Sequence, residues 1–269
     1  MFSISVNPDE TTLFVLAHQD DEIAFAPLLS RLKASRQPVC VVYLTDGGIG
    51  RVTPERRNAE STRALASLGV PANEITYLGH ALTVPNGLLF QRMSQVYSAL
   101  EAHCGRIGAL GEICTLGWEG GNMDHDAAHV IAMALAVAHD RVHRAWQVPF
   151  YRAAERGPPF FSLFAPLPDN GPVSRLELTG GESKLRSTLI RFFPSQWRSF
   201  AGLGPVILWH SLVSSVLKLQ PMLLSRLWER PTAGPLLYEQ RYSVSFAEFS
   251  ACAAAFLRER GLAPEMARA

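Results

Sequence analysis

Two short polar clusters interrupt apolar runs and carry residue types that could do chemistry. The first is Ala17-His18-Gln19-Asp20-Asp21-Glu22, directly after Leu13-Phe14-Val15-Leu16. His18 and Asp21 stand three positions apart, close enough in a tight turn for an imidazole and a carboxylate to hold one metal ion. Such a pair suits zinc, which in catalytic sites takes three protein ligands and leaves a position for water. The same residues also suit a helix start, where Asp and Glu cap and charge the first turn and the histidine is a satisfied polar side chain. The second cluster, Gly120-Gly121-Asn122-Met123-Asp124-His125-Asp126, follows Ile113 to Leu116 and supplies a second histidine, His125, that would complete a His/Asp/His set. Two such clusters at equivalent junctions argue for a site over two unrelated caps.

The elements that must position these clusters alternate. Leu13 to Ala17 reads as a buried strand that stops at His18, and a helix then runs towards Ser35. Val39 to Leu44 is a second strand, ended by Thr45-Asp46-Gly47-Gly48, and Pro54 to Leu68 is a helix with proline in its first turn and Gly69 as its stop. Strands at Ile75 to Leu78, Ile113 to Leu116 and Ala145 to Phe150 alternate with helices at Leu88 to Ala102 and Asp124 to Ala138. This order predicts an α/β fold, a Rossmann-like, mainly parallel sheet flanked by helices. Ligands of such sheets bind outside the carboxyl ends of the strands. His18 to Glu22, Asp46 and Glu119 to His125 all fall there.

Beyond Arg152 the texture changes. Gly157-Pro158-Pro159 and Pro166 to Pro172 read as loops, Val173 to Leu178 as a strand and Glu182 to Phe192 as a helix. Val206 to Leu217 reads as amphipathic, with His210, Ser211, Ser214, Ser215 and Lys218 on its polar side; its apolar side is expected to pack on the sheet, the alternative being contact with a lipid-linked substrate or a bilayer surface. A strand-like Arg241-Tyr242-Ser243-Val244 precedes a helix from Phe246 to Arg258. The expectation is an α-rich C-terminal cap (151–269) on a metal-binding core (1–150), together one domain over residues 1–269.

Composition narrows the functional classes. The chain has 269 residues, 25 Lys+Arg against 24 Asp+Glu, and a hydrophobic fraction of 48%. That balance excludes a disordered chain and gives no basic excess for nucleic acid. The scattered Cys40, Cys104, Cys114 and Cys252 form no CxxC pair, which fits a reducing, cytoplasmic compartment. MFSISVNPDETTLF does not read as a signal peptide, and Gly204 to Leu224 is interrupted by His210, Lys218 and Pro221, so no transmembrane segment is expected. Asp46-Gly47-Gly48-Ile49-Gly50 does not match the dinucleotide fingerprint, and neither a GxSxG elbow nor a P-loop occurs.

AHQDDE at Ala17, TDGG at Thr45, Arg57-Asn58-Ala59-Glu60 leading to Leu68-Gly69, and EGGNMDHD at Glu119 resemble the PIG-L/LmbE family of zinc-dependent de-N-acetylases. That family's signatures read AHPDDE and HPDHD. The resemblance covers about residues 10–150 and weakens afterwards, where Ser195-Gln196-Trp197 and Glu239-Gln240-Arg241 are also similar to parts of the family.

The resemblance implies that His18, Asp21 and His125 bind one Zn²⁺ per chain and that Asp20 is the general base on the metal-bound water. It implies removal of acetyl from an N-acetylated amino sugar in a small-molecule conjugate. Arg57, Asp46, Trp118, Glu119 and His80 are candidate substrate contacts, with Trp118 equally suited to the core. Gln19 stands where the family has proline, and Asn122 where it has the first histidine of its second motif. An asparagine can donate to an oxyanion but cannot deliver a proton, and Asp124, deprived of the histidine it would orient, is expected to cap the helix. Asp20 serving as base and then as acid would rescue turnover, and His80, in the loop after the third strand, is the other candidate to reach the site. The alternatives are a weak or inactive sugar-binding relative, or an amidase for a non-sugar N-acyl amine. Oligomeric state stays open, a homo-oligomer included.

Overall fold

The structure is a computed structural model that describes residues 6–154 and 161–263, so the Gly157-Pro158-Pro159 expectation lies outside the described residues. Five strands run parallel: β1 (Glu10–Leu16), β2 (Val39–Tyr43), β3 (Ile75–Tyr77), β4 (Ala109–Leu116) and β5 (Ala145–Val148). A short hairpin follows, β6 (Tyr151–Ala153) against β7 (Phe161–Leu163). Two further strands, β8 (Ser174–Glu177) and β9 (Val216–Pro221), pair antiparallel and join the main sheet through β5. The sheet order is β3-β2-β1-β4-β5-β9-β8.

The central strands are apolar on both faces because helices cover both. Leu13 and Val15 of β1 point into one layer, with helices α3 (Met93–Cys104), α4 (Met123–Ala138) and α6 (Phe246–Glu259). Phe14 and Leu16 point into the other, with α1 (Glu22–Ala34), α2 (Pro54–Ser67) and α5 (Trp197–Val213). Alternation along one strand thus feeds two cores at once, as expected for a parallel sheet buried on both faces. Thr53 caps α2 and Pro54 opens it, which fixes where the chain after β2 re-enters regular structure.

The α/β expectation holds, and each strand predicted through Phe150 is present. The second half, helix-rich as expected, also lends β8 and β9 to the sheet. Three local readings change. The helix expected over 206–217 starts at Trp197, ends at Val213 and gives way to β9. Its polar and apolar sides are reversed: Ser211 is buried and His210 packs on Phe164, while Leu208, Trp209, Leu212 and Val213 are exposed. The inner face needs only Phe200, Ile207 and Ser211 to fit the sheet, so the larger apolar side chains fall outward. Arg241 to Val244 is not a strand, because Leu237–Arg241 forms a helical turn instead.

α4 is buried along nearly its whole length, and it carries His129 into the core. The His129 ring donates Nδ1–H to the Leu116 carbonyl at 2.9 Å, and burial pushes its pKa down to about 4. The unfolded chain takes up this proton near pH ~6.5 while the folded chain resists until about pH 4. Stability is therefore lost as pH falls through that window, by roughly 3 kcal/mol for this one group. His129→Gln keeps the donor and removes the titration. Denaturant unfolding of chelated protein at pH 7 and pH 4.5 should show a smaller acid loss for the variant than for the wild type.

Candidate metal centre

β1 ends at Leu16, and the chain turns sharply before α1 begins at Glu22. The turn closes on Asp21, whose Oδ2 accepts the backbone N–H groups of Ala17 (3.0 Å) and His18 (2.7 Å). That leaves Oδ1 free to face inward, 3.0 Å from His125 Nε2. His125 arrives from the first turn of α4, which follows β4, the direct neighbour of β1. His18 Nδ1 lies 3.2 Å from His125 Nε2 and 3.9 Å from Asp21 Oδ1. All three side chains are buried.

This triangle fits a metal. Ligands 2.0–2.2 Å from a tetrahedral zinc stand about 3.3–3.6 Å apart, and two nitrogens with one carboxylate oxygen suit that ion. Among the described residues, His18, Asp21 and His125 are the group whose donor atoms converge in this way. In the protein without metal, burial would lower the His18 pKa, but hydrogen bonds to Asp124 and Asp21 outweigh it and hold the ring at about 10. Asp21 runs the other way: burial would raise it, and the two histidines keep it well below the usual carboxylate range.

Asp124 does not cap α4. Its Oδ2 accepts His18 Nε2–H at 2.9 Å, and its oxygens also take the amides of Gly87 and Leu89. It therefore fixes the ring whose other nitrogen points into the trio, the usual arrangement of a carboxylate behind a ligand histidine. The cap is Asn122, whose Oδ1 accepts the Asp124 N–H at 2.8 Å. Its side-chain NH₂ is free of that duty.

Asp20 sits in the same turn with φ of 135°, a conformation costing a non-glycine residue about 1–3 kcal/mol. Two contacts hold it there: its N–H donates to Glu22 Oε2 at 2.9 Å, and its Oδ1 accepts from Arg57 at 3.1 Å. The Asp20 side chain keeps 19% of its surface exposed, so a small molecule can reach it. Burial raises its pKa and the Arg57 charge opposes the shift. Arg57 is not a solvated helix-face residue; it is buried and also donates to the Gln19 carbonyl. Gln19 reaches across the loop after β2, donating to Asn58 Oδ1 at 2.7 Å. Gly47 makes room for it, since a Cβ there would collide with Gln19 Oε1.

The remaining candidates are placed less favourably for ligand contact. Trp118 is in the core between His129 and Phe249, with its indole N–H donating to the Glu229 carbonyl, so no ring face is open for stacking. Glu119 is buried and accepts the amides of Phe150 and Tyr151, its carboxyl pushed up to about 7 by burial. Asp46 Oδ1 takes the Gly48 amide in its own turn. His80 is partly exposed, beside Asn58 and Glu55.

Phe150 and Tyr151 were not anticipated. Phe150 stacks on the His125 ring at 6.1 Å, and Tyr151 meets it edge-on at 5.3 Å. Both follow β5 directly, so the rule that placed the other clusters at strand ends could have found them. A Cβ on Gly121 would collide with the Tyr151 carbonyl, which explains the bare glycine beside them.

Fold and site together define a Rossmann-like α/β protein with a buried His/Asp/His cluster where two central strands end. Residues 13–136 match the family model described as "PIG-L: GlcNAc-PI de-N-acetylase". No curated protein matches the chain. Among solved structures, the A40926 pseudoaglycone deacetylase Dbv21 is 13% identical with a TM-score of 0.60, over 85% of this chain and 100% of that one. The zinc-inhibited form of teicoplanin deacetylase Orf2 is 12% identical with a TM-score of 0.58, over 78% and 97%. The conserved protein TT1542 from Thermus thermophilus is 21% identical with a TM-score of 0.51, over 78% and 92%. At these identities the likeness establishes the fold.

Proposed function

We propose that the chain is a zinc-dependent hydrolase that removes acetyl from an N-acetylated amino sugar of the N-acetylglucosamine type, carried in a larger conjugate. The observation that carries this reading is the buried convergence of His18, Asp21 and His125 with an accessible carboxylate, Asp20, one residue away. The family description names a GlcNAc-PI de-N-acetylase, and two of the similar solved structures are described as deacetylases. Sharing one sheet between both halves supports a single domain over 1–269, and free cysteines among the described residues fit a cytoplasmic setting. No described helix is long and apolar enough to cross a membrane.

Bound zinc would supply Lewis-acid polarisation and an acidified water at neutral pH. Asp20, aimed by Arg57, accepts the proton of the attacking water and returns it to the departing amine. Asp124 holds the His18 ring in place for the ion. Asn122 spends its oxygen on the helix cap and offers its NH₂ to the substrate oxygen as charge develops there. With Trp118 and Glu119 internal and Arg57 engaged, Asp46 and His80 are the remaining candidates for sugar contact.

Elemental analysis of wild type and His125→Ala tests the foundation. About one zinc per chain, lost in the variant, is expected together with amine release from an N-acetyl sugar panel. A wild type that stays metal-free in added zinc overturns the reading. Asn122 favours a second reading, a sugar-binding relative with weak turnover, because an asparagine cannot deliver a proton and leaves Asp20 to serve as both base and acid. Asn122→His is expected to raise turnover while costing about 1 kcal/mol of stability through the lost cap. Unchanged turnover would show that the missing histidine does not limit the reaction and would remove the ground for the second reading.

A further inference from the structure

α5 presents to solvent what amphipathic helices normally hide. Trp197, Ala201, Pro205, Leu208, Trp209 and Leu212 recur at helical spacing along one outward face. Trp197 is 64% exposed, Trp209 65% and Leu212 63%, so the stripe is uncovered by any described part of the chain. Single exposed apolar residues are ordinary, but a continuous stripe with two tryptophans marks an interaction surface.

The charge around the stripe identifies what it meets. From Ser183 to Trp228 the sequence contains no Asp or Glu, although the whole chain is balanced at 25 basic against 24 acidic residues. In the same stretch Lys184, Arg191 and Arg198 are exposed, and Arg191 and Arg198 lie over the Phe192 and Trp197 rings beside the stripe. A protein partner would be expected to meet mixed charges at the rim of its interface. An apolar face with tryptophans, set in a stretch whose exposed charges are all basic, matches an anionic lipid surface, where the apolar side chains enter the headgroup boundary and the cations face lipid phosphates.

The helix is also tied to the candidate centre. Just before it, Ser195 donates through its backbone N–H and hydroxyl to Glu60 of α2, the helix that carries Arg57. From its last turns, His210 packs on Phe164, Phe164 on Phe150, and Phe150 on His125. A surface bound along α5 would therefore lie against the same body of the protein that holds the centre, at a fixed orientation.

We propose that the outward face of α5 is a monotopic docking surface for anionic membranes, the chain resting on the bilayer without crossing it. The inference goes beyond the deacetylase reading and stands without it. It is tested by flotation of the intact protein with phosphatidylglycerol/phosphatidylcholine vesicles and with phosphatidylcholine vesicles alone, with tryptophan emission read in parallel. Binding to the anionic vesicles with a blue shift is expected, weakening as salt is raised. Trp209→Ser/Leu212→Ser should bind at least ~10-fold more weakly, with its melting temperature unchanged because both side chains are exposed. Arg191→Gln/Arg198→Gln should lose the preference for anionic lipid, each cation being worth ~5-fold at such a surface. No binding by the wild type overturns the proposal, as does binding that the Trp209/Leu212 variant retains. A wild-type dimer in sedimentation velocity that ignores vesicles and dissociates on the same substitution also overturns it, making the stripe a contact between copies.

Discussion

Asp20→Asn is expected to lower kcat/KM by at least ~10²–10⁴, the usual worth of a positioned proton-transfer group, while zinc content stays at the wild-type level. The substitution is nearly isosteric and keeps an oxygen for Arg57. Asparagine also tolerates positive φ as well as aspartate does, so the turn at 135° should survive. The metal trio lies outside the change, since Asp21 is fixed by the amides of Ala17 and His18 rather than by Asp20. Amine release and elemental analysis on the same preparation check both halves. Activity within about threefold of wild type, against the ~10²–10⁴ expected for a lost base, would remove Asp20 from that role.

Asp124→Ala should act through the metal and the fold at once. The carboxylate accepts the His18 ring N–H and the Leu89 amide, both buried, and the amide of half-buried Gly87. Losing the partner behind a ligand histidine typically costs 10–100-fold in metal affinity, expected here as about that factor. Leaving buried donors unpaired adds about 3–5 kcal/mol of destabilisation. Zinc titration and denaturant unfolding in chelator measure the two effects separately. Turnover should recover towards wild type at saturating zinc, which distinguishes Asp124 as a positioning residue from Asp20. Unchanged zinc affinity would show that the His18 ring is oriented without it.

The sequence carried the sheet because its signals are local and repeated. Apolar runs such as Val39 to Leu44, followed by glycine and aspartate, can hardly be anything but strands ending at a ligand-binding edge. The His18, Asp21 and His125 convergence was legible for the same reason, as both clusters follow strands that prove to be neighbours. Partner choice was less legible. Asp124 could cap its own helix or reach to His18, and spacing cannot decide between two acceptors within one turn. Arg57 looked the same on a helical wheel whether it faced water or Asp20. In the second half, the amphipathic pattern of α5 does not say which side faces inward, and its helix signal runs on into β9 without a break.

The order of strands bears on how copies of this protein can meet. A sheet that ends in a long, flat strand offers unpaired backbone groups on which another chain can add. Here one border is β3, only three residues long, and the other is β8, a short strand whose Arg175 and Glu177 are both exposed. Both borders are poor templates, through brevity on one side and brevity with charge on the other. Growth of the main sheet from molecule to molecule is thereby discouraged even where the protein is crowded.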